Sequence, residues 1–539
     1  MDSLHQLEII ILLLAVVLAL TTVARRILIP YPILLVIGGL VLGMVPGLPT
    51  VTLNPDLVFL VFLPPILWAA AYFTSLRDFR DNLRPISLLA VGLVLATTAA
   101  VATVAHIFLG FGWAEAIVLG AIVSPPDAVS ATAIGKRLSM PRRIVTILEG
   151  ESLVNDATAL VLYRTAVAAV VSGSFSLGET LVQFLYAAVV GVAVGLLVGW
   201  LTRWALHGID DSFTEIAVTL LAPYVAWVAA ESVHASAVLS CVAGGLYLRQ
   251  HFSEIVAPIT RIQGRAVWEL VVFLLNGVIF ILIGLQLGAL RAAIPSDRFG
   301  PLIVGGALIS VTAILVRLGW VPTIAVIPRY LSSALRARDP LPPWPHLFLV
   351  GWTGMRGIVT LAAAMALPAS ITTMEPFPHR AEIILLSFFV ILATLVLQGL
   401  TLAPLIRRLG ISGGSEGERE EMLAREHAAS AALSRLGTLH REAWSQPDHV
   451  AQLHLHYERR RQRFASDAEV DPDCTKEMSA AFLRLREETL ASERVALIQL
   501  RDDGTISDEV LHRLEHELDV EALRLGLGER RISQRADVV

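Results

Sequence analysis

Residues 149–157 read Glu-Gly-Glu-Ser-Leu-Val-Asn-Asp-Ala and stand at the head of an apolar segment that continues through Val170. The stretch has three carboxylates and an adjacent Asn-Asp pair. An ionised side chain at bilayer depth is costly unless it is paired, hydrated or coordinated, so such residues are candidate functional groups. Asp156 is the first of these candidates.

The composition places the chain in a membrane. Of its 539 residues, 55% are hydrophobic and 17% are charged, and the mean hydropathy is +0.67. This is more apolar than a soluble protein. The net charge is −5, with the acidic excess beyond residue 410, which argues against a nucleic-acid-binding surface. Cys241 and Cys474 have no metal-ligand spacing, and no cofactor is expected.

A membrane-spanning helix needs about 20 apolar residues, and the sequence contains about thirteen such runs. The N-terminal run is interpreted as a retained helix, because its positive residues follow the apolar stretch. The predicted segments are 7–24, 27–45, 57–73, 86–109, 113–135, 144–171, 179–206, 214–230, 236–250, 267–290, 301–327, 346–367 and 383–409.

Positive residues alternate between the loops of this arrangement. Most loop Arg and Lys residues fall in every second loop, and the loops between them hold only Arg291, Arg298 and Arg380. Because cytoplasmic loops carry the positive excess, the N-terminus is predicted outside the cell and the C-terminal tail in the cytoplasm. The expected location is the inner (cytoplasmic) membrane of a bacterium.

Two segments are interrupted. The fifth contains Ser124-Pro125-Pro126-Asp127, where the prolines remove backbone donors, and the twelfth has three glycines around Arg356. Interrupted helices in matching positions of two halves indicate a transporter site built from inverted repeats. Segments one to six and eight to thirteen are the predicted repeats, and the fold class is an all-α polytopic membrane protein.

The composition changes after Leu409 into charged sequence with apolar residues at helical spacing, in the stretches 481–500 and 507–525. Two domains are therefore predicted: a transmembrane domain, 1–410, and a cytoplasmic helical tail, 411–539. The tail is either a solvated appendage or a regulatory, partner-binding segment.

The interrupted segments and the acidic stretch together supply what a small cation needs on leaving water, namely several oxygen ligands with at least one negative charge. Asp156 is the candidate anionic ligand, and Ser152 lies one helical turn before it. Asn155 is expected to hold the broken helix by hydrogen bonding. Asp127 is a candidate ligand through water, or a residue that orients the helix ends; simple helix capping is an equal alternative.

The Asp156 carboxylate can also hold a proton, so cation and proton would compete for one site. If the empty, negatively charged site crosses the membrane barrier poorly, each conformational change must carry either the cation or the proton. The two ions are then exchanged in a coupled way. No Gly-rich phosphate loop indicates another energy source, and enzyme activity is not expected. Glu151 and Arg356 are predicted to pair between segments six and twelve, because a lone buried Arg would be costly.

These residues resemble the monovalent cation:proton antiporter-1 family, in its NhaP-like bacterial branch. The similar stretches are residues 124–127, 150–157, 273–287 and 354–357, within a likeness that covers about residues 7–409. The resemblance implies a thirteen-helix homodimer whose core domain moves against a dimerisation domain. It also implies that Asp156 binds the ion, that Ser152 is a ligand, that Asn155 and Asp127 support the site, and that Glu151 bridges to Arg356. An Asn-Asp pair in this family goes with electroneutral exchange.

Two positions depart from the family pattern. Pro126 stands where members often have Thr, although its backbone carbonyl can still serve as a ligand, and Ala69 aligns with a Glu of the third segment. These departures leave the choice among Na⁺, Li⁺ and K⁺ open. The predicted function is Na⁺/H⁺ exchange that serves pH homeostasis. A K⁺/H⁺ exchanger is the first alternative, and a membrane ion sensor or channel is the alternative of another class.

Overall fold

In the computed structural model the described residues are helical, and the one extended pairing among them is an isolated bridge between Ser370 and Pro376. The described chain runs from 3 to 524 apart from 28–29, 45–57, 139, 174–176, 294–295, 372–375, 412–415, 443, 465–484, 487, 501–502, 504 and 506–507.

The helices up to residue 408 fall into eighteen α-helices and two π-helical turns, Val58–Phe62 and Leu88–Leu93, within the described residues. In chain order the α-helices are α1 Ser3–Ile27, α2 Tyr31–Gly43, α3 Leu63–Phe73, α4 Leu76–Asp81, α5 Leu83–Ser87, α6 Val94–Leu109, α7 Trp113–Val123, α8 Val129–Arg137, α9 Arg142–Ser172, α10 Leu177–Leu206, α11 Ser212–Ser232, α12 Ala237–Ile255, α13 Pro258–Ala293, α14 Ser296–Leu331, α15 Ser333–Arg338, α16 Trp344–Trp352, α17 Ile358–Met365 and α18 Arg380–Arg408.

Every apolar segment predicted from the sequence overlaps helical structure. Within the described residues, seven helices are long and apolar enough to cross a membrane, and shorter apolar helices accompany them. The protein is therefore an all-α polytopic membrane protein, whereas the count of thirteen spans and the inverted repeats stay predictions. The seven are Leu83–Leu109, Arg142–Ser172, Gly178–Leu206, Ser212–Ser232, Pro258–Gln286, Arg298–Leu331 and Arg380–Arg408.

Two segments are broken where the prolines and glycines predict. Residues 124–128 separate α7 from α8, and residues 353–357 separate α16 from α17. The two breaks are in contact, because the backbone N–H of Asp127 donates to the carbonyl O of Met355 across 2.7 Å. Irregular backbone at membrane depth is tolerated only when protein or water satisfies its polar groups. Here the second break supplies an acceptor for a backbone N–H of the first.

Small residues bring two pairs of helices close together. Gly191 and Gly195 of α10 lie one turn apart on the face toward α12, and a Cβ at Gly195 would collide with the carbonyl O of Ser240. Gly39 of α2 and Gly284 of α13 likewise face the backbone of the partner helix. Close backbone approach through small residues is the usual packing of helices in lipid.

Helix α9, which carries the acidic stretch, contributes to every large cluster of buried apolar side chains. Ala157 belongs to the cluster around α2, α3 and α11 to α13, Tyr163 to the cluster around α6, α7 and α18, and Leu148 to the cluster around α8, α14 and α16. The helix is therefore held on several sides, and its polar residues lie inside the bundle.

The chain divides into two compact units, Met1–Gly414 and Ser415–Val539. In the second unit, α19 (Glu416–Leu439) packs against α20 (Pro447–Phe464), and α21 (Asp508–Arg524) lies within the predicted stretch 507–525. Ion pairs Arg486–Glu521 and Arg494–Asp519 join α21 to the helical residues before 500. The predicted stretch 481–500 lies partly outside the described residues.

Candidate ion-binding site

A cavity of about 740 Å³ lies beside the two helix breaks. The predicted site residues Asp156, Ser152, Asp127 and Pro126 all line it. Its wall also includes side chains that reach the surface, among them the exposed Arg249 and others that the sequence places in predicted cytoplasmic loops. The cavity therefore extends from the candidate site to charged residues near one face of the protein. The charged residues at that end are Arg249, Arg261, Arg265, Glu149 and Glu269.

Asp156 lies on α9 with 7% of its surface exposed. Within the part of the chain that the structure describes, no hydrogen bond or ion pair is made to its carboxylate. Ser152, one turn earlier, faces the same cavity, and its hydroxyl O accepts a hydrogen bond from the backbone N–H of Ala128 at 3.4 Å. The helical spacing thus places a free carboxylate and a hydroxyl on one wall.

Asn155 is completely buried and connects α9 to the first break. Its Nδ2 donates to the carbonyl O of Pro126 across 2.8 Å, while its Oδ1 has no partner among the described residues. Pro125 and Pro126 lack backbone N–H groups, so the chain at this point cannot continue a helical ladder. Residues 124–128 are not helical, and the amide of Asn155 supplies a donor to the Pro126 carbonyl within this break.

Asp127 is placed where two helices begin. Its Oδ1 accepts the backbone N–H of Val129, the first residue of α8, at 2.8 Å, and the backbone of Ile358, the first residue of α17, also hydrogen-bonds to its side chain. Gly357 lies against Asp127 Oδ2, and a Cβ there would collide with it. A carboxylate at two helix N-termini stabilises their exposed amides and partial positive charge. The capping alternative therefore describes the observed contacts of Asp127.

The predicted ion pair between Glu151 and Arg356 is wrong. Glu151 pairs instead with Arg317 of α14, whose Nη2 donates to Oε2 at 2.7 Å while Nη1 donates to Oε1. Both side chains are buried, with 2% and 1% of their surfaces exposed. The planar guanidinium matches a carboxylate with two parallel hydrogen bonds, and α14 brings it directly opposite Glu151. Arg317 also donates from Nε to the carbonyl O of Val350 at 3.1 Å.

Arg356 is satisfied by backbone carbonyls rather than by a carboxylate. Its Nε donates to the carbonyl O of Val123 at 3.0 Å, and Nη1 donates to the carbonyl O of Gly354. Its own N–H donates to the hydroxyl O of Thr394 at 3.1 Å. These carbonyls lie at the last turn of α7 and in the second break, where helical hydrogen bonds end. Arg356 therefore joins the two breaks, a role that the paired-charge interpretation missed.

Sequence reasoning did not identify Arg317 as the partner of Glu151. The available signal was its position near the middle of the segment 301–327, where an arginine is costly unless a carboxylate faces it. Arg164, by contrast, pairs at an exposed position with Glu231 at 2.7 Å.

A polytopic all-α membrane protein with two broken helices in contact, and a buried carboxylate on the wall of a cavity beside them, has the construction of a secondary transporter. The comparisons with known proteins agree. The family model described as "Sodium/hydrogen exchanger, transmembrane" matches residues 11–408. The chain belongs to this family, and it is a transporter rather than an enzyme.

Individual relatives and a solved structure are consistent with this assignment. An uncharacterized Na⁺/H⁺ exchanger from Mycobacterium tuberculosis is 34% identical over 525 residues, 96% of each chain. A sodium, potassium, lithium and rubidium/H⁺ antiporter from Bacillus pumilus is 33% identical over 388 residues, 70% of this chain and 58% of that protein. The sodium proton antiporter MjNhaP1 from Methanocaldococcus jannaschii has a TM-score of 0.60 at 19% identity, covering 76% of this chain and 99% of that one. This last likeness shows the fold alone.

Proposed function

We propose that the protein exchanges a monovalent cation, with Na⁺ the first candidate, for H⁺ by letting the two compete for the carboxylate of Asp156. One observation carries the proposal. Asp156 is buried on the wall of a surface-connected cavity, and its carboxylate has no partner in the described part of the protein. A buried carboxylate without a partner is costly as an anion, so it favours binding a cation or a proton.

Coupling follows from that cost. When the site is empty and charged, moving it past the apolar barrier is unfavourable, whereas the protonated or cation-bound site has no net charge. Each conformational change between the two access states therefore carries either a cation or a proton. The gradient of one ion drives the transport of the other. Water reaches the site from the face that opens onto the cavity, and the opposite face opens after the breaks rearrange.

The stoichiometry that we propose is one cation for one proton. Asn155 is neutral, and its amide nitrogen is committed to Pro126. Asp127 accepts backbone donors at the starts of α8 and α17, so its carboxylate is engaged with the two helix ends. Asp156 is then the single acidic group that exchanges a bound proton for a bound cation. Because one positive charge replaces another, the exchange is electroneutral.

Oxygen ligands beyond Asp156 come from its neighbours. Ser152 offers a hydroxyl that accepts only a long hydrogen bond, and Pro126 offers the second lone pair of its carbonyl. Asp127 contributes through a bridging water, since its carboxylate is already occupied by backbone donors. Hard monovalent cations take such oxygen ligands in flexible numbers. Glu151 and Arg356 support the site without contacting the cation. Glu151 pairs with Arg317, and Arg356 donates to backbone carbonyls at the helix breaks.

The same machinery accommodates K⁺, which is the second candidate function. The Bacillus pumilus relative is named as an antiporter for sodium, potassium, lithium and rubidium, and Ala69 contributes no charge to the cavity. A neutral wall at this position discriminates less between ions of different size than a second carboxylate would.

Ion pairs support the proposed topology, in which the tail is cytoplasmic and the protein lies in the inner membrane. Asp339 bonds to Arg143 at 2.8 Å and to Arg329 at 2.5 Å, so two predicted cytoplasmic loops meet. Arg298 and Glu382, from two predicted outer loops, pair at 2.9 Å. We also propose a homodimer in the lipid membrane, with the tail as a regulatory segment.

Purified protein in liposomes tests the proposal. Adding Na⁺, Li⁺ or K⁺ outside vesicles that hold an imposed pH gradient should collapse the gradient while the membrane potential is clamped. The variant Asp156→Asn should insert and fold normally but lose this activity. A current without coupled proton movement would indicate a channel, and cation binding without either flux would indicate a sensor. Exchange retained in Asp156→Asn would remove that residue from the mechanism.

A further inference from the structure

Two buried side chains on the wall of the Asp156 cavity have an oxygen without a hydrogen-bond partner. Asn276 is 2% exposed and Thr360 is 1% exposed, and neither Asn276 Oδ1 nor Thr360 Oγ1 meets a donor within the described chain. Both residues line the cavity together with Asp156 and Ser152. Leaving buried oxygens unpaired is unfavourable, so their presence on this wall calls for a partner.

The two oxygens come from different helices. Thr360 follows the second break by one turn of α17, just beyond the Gly357 that contacts Asp127. Asn276 lies within α13, which packs on α2 and α3. The residues that α3 contributes to the cavity wall are uncharged, and Ala69 is among them. Asn276 therefore provides a polar group to a wall where Ala69 presents only a methyl group.

The local backbone explains why Thr360 is unsatisfied. Many threonines in these helices donate to the carbonyl O four residues earlier, as Thr312 does to Leu308 and Thr394 does to Val390, at 2.8 and 2.7 Å. The residue four before Thr360 is Arg356, which lies in the break. The preceding helical turn does not exist there, so the hydroxyl lacks its ordinary acceptor and is left for another partner.

We propose that Asn276 and Thr360 are neutral oxygen ligands that contact the transported cation as it sheds water, and that they set which ion is preferred. The inference rests on the proposed exchange function and names residues of the same cavity. Neutral oxygens add coordination without adding charge, so they alter affinity and selectivity and leave the one-for-one stoichiometry unchanged. Ion selectivity depends on the number and placement of such oxygens.

The test uses full-length protein in liposomes and pairs of variants that differ in one oxygen. Thr360→Val removes the hydroxyl at constant shape, and Thr360→Ser keeps it. Asn276→Leu removes the amide at similar size. Initial exchange rates are measured against the concentrations of NaCl and KCl. We expect Thr360→Val and Asn276→Leu to raise the apparent KM by about tenfold, unequally for Na⁺ and K⁺, with the maximal rate retained. Thr360→Ser should behave like the unaltered protein.

Thr312→Val is the matched control, because it removes a hydroxyl that donates within its own helix. Unchanged KM and Na⁺/K⁺ ratio in both Thr360→Val and Asn276→Leu, with exchange intact, would overturn the inference and leave the proposed function standing. Absence of exchange in the unaltered protein would overturn the proposed function instead. If Asn276→Leu does not fold, Asn276→Asp decides: it keeps the oxygen and adds charge, so a lowered KM supports the inference and an unchanged KM contradicts it.

Discussion

Glu151 and Arg317 form a two-pronged ion pair in the interior of the membrane unit, with Arg317 Nη2 donating to Glu151 Oε2 at 2.7 Å. The residues are 166 positions apart in the chain and join α9 to α14. Arg317 also holds the carbonyl O of Val350 near the end of α16, so the pair connects the helix that carries Asp156 to the second broken segment.

Removing one member of this pair should destabilise the protein strongly. Glu151→Gln or Arg317→Met leaves a buried charge uncompensated, with an expected loss of about 3–5 kcal/mol in the free energy of unfolding. The double variant, Glu151→Gln with Arg317→Met, should recover part of that loss. Thermal unfolding in detergent measures all three. Charge exchange between Glu151 and Arg356 should not restore stability, and equal stability of the single variants and the unaltered protein would contradict the pairing.

The hydrogen bond from Asn155 to Pro126 should contribute to stability separately from transport. Asn155→Leu leaves the buried Pro126 carbonyl without its donor, with an expected cost of about 1–3 kcal/mol. Asp156→Asn, on the neighbouring residue, should lose exchange with little change in unfolding temperature, because Asp156 makes no hydrogen bond within the described residues. Unfolding curves should therefore show a loss of stability in Asn155→Leu, and exchange rates should show a loss of activity in Asp156→Asn at nearly unchanged stability. An Asn155→Leu protein as stable as the unaltered one would count against the bond.

Gly357 should not tolerate a side chain, because Asp127 Oδ2 occupies the space that a Cβ would need. Gly357→Ala should push Asp127 from the starts of α8 and α17, cost about 1–3 kcal/mol and lower the exchange rate. Gly319→Ala is the matched control, since nothing lies within 4 Å of a Cβ at that position in α14. Comparable unfolding temperatures and rates for the two alanine variants would show that Asp127 can move freely.

The predicted orientation can be tested with cysteines placed at charged loop residues. Arg142→Cys should react with a membrane-impermeant maleimide only from the cytoplasmic side, and Arg298→Cys only from outside. Cys241 is buried and serves as an unreactive background, while Cys474→Ser removes the cysteine of the tail. Labelling of both positions from the same side in inverted and intact vesicles would contradict the alternating loops.

Local chemistry allowed much of the fold to be predicted. Pro125 and Pro126 cannot donate backbone hydrogen bonds, and the glycines around Arg356 weaken a helix, so both breaks were visible in the sequence. The apolar segments likewise follow from the need to keep backbone hydrogen bonds within helices in lipid. Asp156 and Ser152 share a face because four-residue spacing in a helix requires it.

Three features follow from the order of residues alone: the chain crosses a membrane, its helices break at the prolines and glycines, and residues 149–157 carry polar groups of the interior. Composition and backbone chemistry act over a few neighbouring residues, so these features need no knowledge of packing. Helix packing, in contrast, selects Arg317 as the partner of Glu151 and places Arg356 against the carbonyls of the breaks. Two buried arginines in different segments are equivalent partners for a carboxylate until the packing of those segments selects one, because an ion pair depends on separation in space.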